Sequence, residues 1–304
     1  MVRAGDADTA PAKVGCRLAC DQGAGTVSHG SISGMAPRLA LGLPTVLGLA
    51  RRGFFIPHRH AEAARAGATR TLVPLFRAAE PRTTAWLDRL NGYGEALDRI
   101  GGAPPPDPRR QQDWFPRLDG AMAYTMVRAL EPARIVEVGS GHSTRFLARA
   151  ARDAGIACAI TAVDPQPRAD LSQLSGITLL RMTAQAAGTE VYADLCPGDI
   201  LAIDSSHVLM PGTDVDLLFS EALPTLPNGV FVHIHDIFLP DPYPDVWEWR
   251  GYNEQLGVAL MLLGDAYEIQ WSSHYATRAL SEAVAASAAG SLPLGPGAFE
   301  TSLG

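Results

Sequence analysis

The spacing of apolar positions along this chain changes character near residue 134. Before it, spacings of three and four dominate. Leu72, Leu75 and Phe76, then Trp86, Leu87 and Leu90, recur on shared faces and predict a mostly helical stretch over 69–100. Pro81 and Gly92 divide it. After residue 134, short apolar runs alternate with helical segments. The runs cover 135–138, 159–163, 177–181, 200–203, 230–234 and 267–271. That alternation predicts an α/β domain, with a mostly parallel sheet covered by helices on both faces. A last strand is expected within 279–294, where Ala, Gly and Pro weaken the pattern.

The segments outside this pattern set the domain boundaries. Residues 1–35 are rich in Gly, Ala, Ser, Thr and Asp, have no sustained period and read as a disordered tail. They contain no apolar signal core. Met35 directly precedes ordered-looking sequence and is an alternative start of translation. The apolar run 39–49 is broken by Gly42, Pro44 and Gly48, and is short of the roughly 20 residues a bilayer span needs. With Arg51-Arg52 and Gly53-Phe54-Phe55-Ile56-Pro57 it reads as a short packed segment in preference to a membrane-surface anchor. The Gly- and Pro-rich stretch 101–108 reads as a stiff linker. The expected division is therefore a tail (1–35), a helical extension with its linker (36–108) and a main domain (109–304). Past the linker, 113–116 leads into a helix ending near Leu130, with Asp113 or Asp119 as its cap.

Composition narrows the partners. The chain carries a net charge of −7 and a sequence pI of about 5.6. Binding to phosphate backbones needs a basic surface, so nucleic acid is not an expected partner, and neither is a membrane. Cys16, Cys20, Cys158 and Cys196 form no Cys-x-x-Cys pair and no dense framework, which fits a reducing cytoplasm. Cys16 and Cys20 have no partner ligands nearby in sequence and are not read as a metal site.

Candidate chemistry begins at the end of the first strand of the alternating region. Arg134-Ile135-Val136-Glu137-Val138-Gly139-Ser140-Gly141-His142-Ser143-Thr144 reads as a strand, a glycine turn and the start of a helix, which together make a cradle for a nucleotide or nucleoside. A dinucleotide fingerprint would have glycine where Thr144 stands, and a phosphate-binding loop would end in Gly-Lys-Ser/Thr. Three strand runs end in acids, at Asp164, Asp204 and Asp236, and ligands of open α/β sheets bind beyond such ends. Asp164 follows Gly141 by 23 positions, near the spacing of about 20 at which a carboxylate meets ribose hydroxyls. An ordinary strand–helix turn with a surface acid is the plainer alternative.

The Glu-x-Gly-x-Gly-x-Ser of 137–143 resembles the first motif of class I S-adenosylmethionine (SAM)-dependent methyltransferases. Asp204-Ser205-Ser206-His207 resembles the fourth-strand ending of many small-molecule members. The approach 223–232, followed by His233-Ile234-His235-Asp236, is similar to a bacterial subgroup whose fifth strand ends His-x-His-Asp. The resemblance implies a Rossmann-like, mostly parallel seven-stranded sheet with S-adenosylmethionine as cofactor. It places the cofactor against Glu137, Gly139, Ser140, Gly141, Ser143, Asp164, Asp204 and Ser205. It also implies that Trp114 and Phe115, before the first strand, close over the cofactor or else seal the core.

Metal-dependent O-methyltransferases use acids after the fourth and fifth strands and a following Asn. Here Asp204 and Asp236 are in place, but Ile237 follows. His207, His235 and His274 are expected at the same sheet edge. With Asp236 they are the candidate catalytic residues, with imidazole as general base. Asp204, His207, His235 and Asp236 are the alternative ligand set for a divalent metal such as Zn or Fe. His233 alternates with Val232 and Ile234 and is expected to face a helix layer. Residues 241–252, with two Trp and two Tyr, read as an acceptor wall or as simple packing. The reading is methyl transfer from SAM to a hydroxyl or amine of a small molecule. An NAD-dependent oxidoreductase and a non-catalytic SAM-binding protein are the alternatives.

Overall fold

The computed structural model describes residues 1–3, 38–109 and 112–304. The described chain divides into two units. The larger contains residues 1–3, 67–242 and 252–304, and the smaller contains 38–66 and 243–251. The sequence placed a boundary at the 101–108 linker, but the compact unit already begins at Gly67. The linker is held rather than free: Asp107 pairs with Arg149 and Arg152, each at 2.9 Å.

The sheet of the larger unit is built on five parallel strands. These are β2 (Arg134–Val138), β3 (Ala159–Val163), β4 (Ile177–Leu180), β5 (Ile200–Ile203) and β6 (Phe231–Ile234). Two short strands extend it, β1 (Val2–Arg3) antiparallel to β6 and β7 (Tyr267–Glu268) antiparallel to β1, in the order β4-β3-β2-β5-β6-β1-β7. Residues 1–3 were expected in a disordered tail, yet they join the sheet, because Val2 pairs with Phe231 and Glu268. The rest of that expected tail, including Met35, Cys16 and Cys20, lies outside the described residues. The strand expected within 279–294 is not formed. Short helices Ser281–Ala286 and Ala288–Ser291 occupy that stretch. Leu303 instead bridges Ile234 and Ser272.

Strand order reverses direction at β2, which pairs with β3 on one side and β5 on the other. Val138 is in register with both Val163 and Ile203. The next residues, Gly139, Asp164 and Asp204, therefore emerge together at the topological switch point, where open α/β sheets bind ligands.

Side-chain alternation sorts β2 between two cores. Val136 and Val138 join Leu201, Ile203, Val232 and Ile234 under one layer, while Ile135 joins Ile160 and Ile200 under the other. The second layer is made by helices α1 (Val73–Asn91), α2 (Arg117–Leu130) and α3 (His142–Ala154). Helices α2 and α3 cross closely, since a Cβ on Gly120 would lie 2.6 Å from the Phe146 ring. The expected caps of α2 do not act as such: Pro116 holds the N-cap position without a side-chain bond. Glu300 takes over that role, accepting from the Leu118 amide at 2.8 Å and pairing with Arg117. In the smaller unit, helical turns at Arg38–Gly42, Leu43–Val46 and Asp245–Arg250 are formed, and the Arg250 guanidinium lies 4.2 Å from the Trp247 ring. Among the described residues, no helix is long and apolar enough to cross a membrane.

Candidate functional site

The glycine turn is fixed by backbone geometry. Gly139 has φ +79 and donates to the Val163 carbonyl at 3.0 Å. A Cβ there would overlap the Asp204 carbonyl oxygen and lie 2.7 Å from its carbon, so only glycine fits. The Gly141 amide donates to Thr144 Oγ1 at 2.9 Å, and Thr144 in turn donates to Glu137. The residue that breaks the dinucleotide fingerprint is thus the one that closes this turn. Ser143 Oγ donates to the other Glu137 oxygen at 2.6 Å. Glu137 is buried, and burial pushes its carboxyl up to about 8; the hydroxyl bonds oppose that rise and the charges of Asp204 and Asp164 add to it.

Asp164 is buried at the end of β3. It accepts from the Ser140 amide (2.7 Å), the Ser140 hydroxyl (3.1 Å) and the Gln166 amide (2.7 Å). A carboxylate has about four acceptor sites, so one remains for a further donor. Ser205 Oγ is buried with no partner among the described residues. The loop after β3 returns to the turn: the Arg168 amide donates to the Ser140 carbonyl, and the Arg168 guanidinium lies 5.3 Å from the Trp114 ring. Trp114 and Phe115 take separate roles. Phe115 is buried against Phe146 and His235, whereas Trp114 is 50 % exposed.

A second constellation follows β5 and β6. His207 Nε2 lies 3.3 Å from Asp204 and 3.4 Å from Asp236, and its Nδ1 lies 2.9 Å from Glu254. His235 Nε2 lies 3.2 Å from Asp119, and its Nδ1 lies 3.5 Å from Asp204 and 3.4 Å from Asp236 without a hydrogen bond. Burial opposes protonation of both imidazoles. For His207 the bonds to Asp204 and Glu254 outweigh it, and for His235 the charges of Asp236 and Asp204 do, so both are held well above the ordinary value. Burial raises Glu254. His207 and Asp236 also have left-handed backbone, φ +58 and +57, which costs a non-glycine residue about 1–2 kcal/mol.

One atom each from Asp204, His207 and Asp236 can be chosen so that all three lie within 4.8 Å of one another. That is a set able to hold a metal ion. The fit is supported by Glu254 on the far nitrogen of His207, since metal-bound imidazoles commonly give their other N–H to a carboxylate. The acidic surplus of Asp119, Asp204, Asp236 and Glu254 over two imidazoles favours a cation in the same way.

Among the described residues, no polar contact joins His274, expected beside His207 and His235, to either of them. Its Nε2 lies 2.9 Å from Asp241, which also pairs with Arg278. Sequence reasoning missed Glu254, Thr301 and Ser302, and it read Asp119 only as a cap. Asp119 is fully buried and accepts from the Thr301 and Ser302 amides. Its placement one helical turn below the expected lid was the only signal available. His233 faces the helix layer as expected, within 5.9 Å of the Phe115 ring.

Residues 136–237 match a family model described as a methyltransferase domain. The matched segment contains the glycine turn, Asp164 and the whole of β5 and β6 with their acidic ends. No curated protein matches the chain. Similar solved structures include CmcI-N160 in its apo form, at 16 % identity and TM-score 0.33, covering 47 % of this chain and 60 % of that one. CmcI-N160 with SAH follows at 20 % identity and TM-score 0.32, covering 49 % and 75 %. The SAH-bound Podospora anserina methyltransferase PaMTH1 has 18 % identity and TM-score 0.38, covering 71 % and 92 %. Likenesses at this level tell nothing of this chain's site.

Proposed function

We propose that the chain transfers a methyl group from S-adenosylmethionine to a small-molecule acceptor. The observation that carries this reading is the alignment of Gly139, Asp164 and Asp204 at the switch point of the sheet, inside the segment that matches a methyltransferase domain. In this reading SAM lies against Gly139, Ser140 and Gly141. Asp164 accepts from a ribose hydroxyl, and Glu137, with Ser143 behind it, meets its ammonium. Asp204 and Ser205 border the same cleft, and Trp114 with Arg168 stands at its rim.

His207, His235 and Asp236 belong to the acceptor side. The acceptor oxygen or nitrogen attacks the sulfonium methyl in line, the S–CH3 bond breaks, and S-adenosylhomocysteine (SAH) leaves. In this reading the His235–Asp236 pair takes the acceptor's proton, once the proton that His235 carries beside Asp204 and Asp236 has been released. Much of the rate comes from alignment, since oriented reactants reach effective molarities of about 10⁵–10⁸ M. Asp204, His207 and Asp236 would hold a divalent ion, with His235 adjoining, and such an ion would polarise an acceptor oxygen. His274 has no part in this machinery. The same proposal includes a cytoplasmic location with neither nucleic acid nor membrane as partner, a reading supported by the net charge of −7 and the cysteine usage.

Calorimetric titration with SAM and, separately, NADH tests the cofactor, and labelled methyl transfer to a panel of hydroxyl and amine acceptors tests turnover. SAM binding with a methylated product is expected. NADH binding would turn the assignment to an oxidoreductase, and SAM binding without product to a non-catalytic protein.

A further inference from the structure

The side of α3 that carries Arg145, Arg149 and Arg152 lines a cavity of about 320 Å3. Arg145, Arg149 and Arg152, spaced to share one side of the helix, form one wall. Asp107 of the linker, Cys158 before β3 and residues 173–176 before β4 complete it. The cavity therefore sits where β3 and β4 begin, whereas the glycine turn and the His/Asp constellation sit where strands end. Its volume lies at the lower end of the range for small-molecule sites, about 300–1,000 Å3.

The charges of this wall do not balance. Arg149 donates to Asp107 at 2.9 Å and to Asp153 at 2.7 Å, and Arg152 donates to Asp107 at 2.9 Å. Those two arginines use the two carboxylates. Arg145 is 4 % exposed, yet it forms no ion pair among the described residues. It donates to the Asp170 backbone carbonyl at 2.9 Å, and its Nε is buried with no partner. Arg109 repels it, and the Asp170 carboxylate attracts it only from a distance. A buried guanidinium without an anion is costly, and an oxyanion removes that cost with charge-assisted bonds. The neighbouring thiol raises no objection. Burial, with the charge of Asp199, pushes Cys158 up to about 11, so it is uncharged near neutral pH.

We propose that this cavity binds a small oxyanion-bearing metabolite, a phosphate monoester or a carboxylate, with Arg145 as its charged anchor. The site is separate from the proposed cofactor turn and does not depend on methyl transfer. Equilibrium dialysis of the full chain at constant ionic strength, with labelled inorganic phosphate, glucose 6-phosphate and citrate, tests it. Saturable binding of at least one probe is expected, and SAH should not displace it. Arg145→Gln should weaken that binding at least about tenfold. Ser175→Glu, an exposed change that adds a repelling charge at the cavity wall, should weaken it too, and it decides the matter if the arginine variant does not fold. Preference for glucose 6-phosphate or for citrate identifies the anion class. Absence of saturable binding for all three probes, displacement by SAH, or unchanged binding in the folded variants would overturn the proposal.

Discussion

Replacing Gly139 by alanine separates a turn required by the fold from a turn required by the ligand. The new Cβ would lie 2.7 Å from the Asp204 carbonyl carbon and overlap its oxygen. The Asp204 amide donates to the Val138 carbonyl at 2.8 Å and Val138 is in register with Ile203, so the backbone leading into that carbonyl is tied to both strand ends. Relief of the oxygen overlap to an ordinary contact of about 3.5 Å parts the ends of β2 and β5 by well over about 1 Å. Two backbone hydrogen bonds lost at about 1 kcal/mol each, plus about 1–2 kcal/mol for alanine at φ +79, give a destabilisation of about 3–4 kcal/mol. Gly141→Ala is strained as well, by about 1–2 kcal/mol at φ +158, but it meets Arg168 Cβ in the following loop at 3.2 Å and no strand end, so it should cost about 1–2 kcal/mol in all. Urea unfolding of both variants, compared at constant slope, measures the difference. Equal midpoints for the two would refute the reasoning, because it assigns the clash to a fixed strand end in one case and a yielding loop in the other.

Asp164→Ala should reduce SAM affinity at least about tenfold, a loss of about 1.4 kcal/mol; Asp164→Asn keeps an acceptor for Ser140 and should melt closer to wild type, and unchanged dissociation constants in both would place the ribose elsewhere. Glu137 has a folded pKa of about 8 against 4.5 for the free side chain, so its protonated form is favoured by folding. Stability from this group is full below pH about 4.5 and is lost as pH rises towards about 8. Glu137→Gln should flatten that decline in urea midpoints, and parallel pH profiles for variant and wild type would contradict the burial argument. His235→Ala should cut turnover by about 10²–10⁴-fold with SAM affinity nearly unchanged, and should melt earlier because it leaves the buried Asp119 carboxylate without its imidazole; loss of SAM affinity in the folded variant would mark His235 as structural. If the constellation holds an ion, Glu254→Gln should weaken metal affinity by about 10–100-fold, read by metal content after dialysis, and equal retention would remove Glu254 from any supporting role.

The five parallel strands were readable because each is a short apolar run, closed by Gly, Asp or His in four of them and by Arg181 after β4, and buried parallel strands need little else. The short edge strands were not. Val2–Arg3 has no pattern of its own, and Leu303 joins through isolated bridges that no periodicity records. The turn and the acids after it were legible from residue type and spacing. The buried partners were not, because Asp119, Glu254 and Thr301 are brought to His207 and His235 by tertiary packing across as many as 116 positions. His274 is a histidine near the same strand edge whose buried partner, Asp241, no spacing announced. Thr144 looked like a defect in a dinucleotide motif, and only its bonds to Gly141 and Glu137 reveal it as the lock of the turn.

The central claim is that SAM occupies the turn of residues 139–143 beside Asp164. Amide hydrogen exchange with and without SAH tests it most directly, since it reports both binding and location. The account expects added protection in peptides covering 139–145 and 164–168, with peptides covering 173–176 unchanged. Saturating SAH that leaves 139–145 and 164–168 unprotected would contradict it.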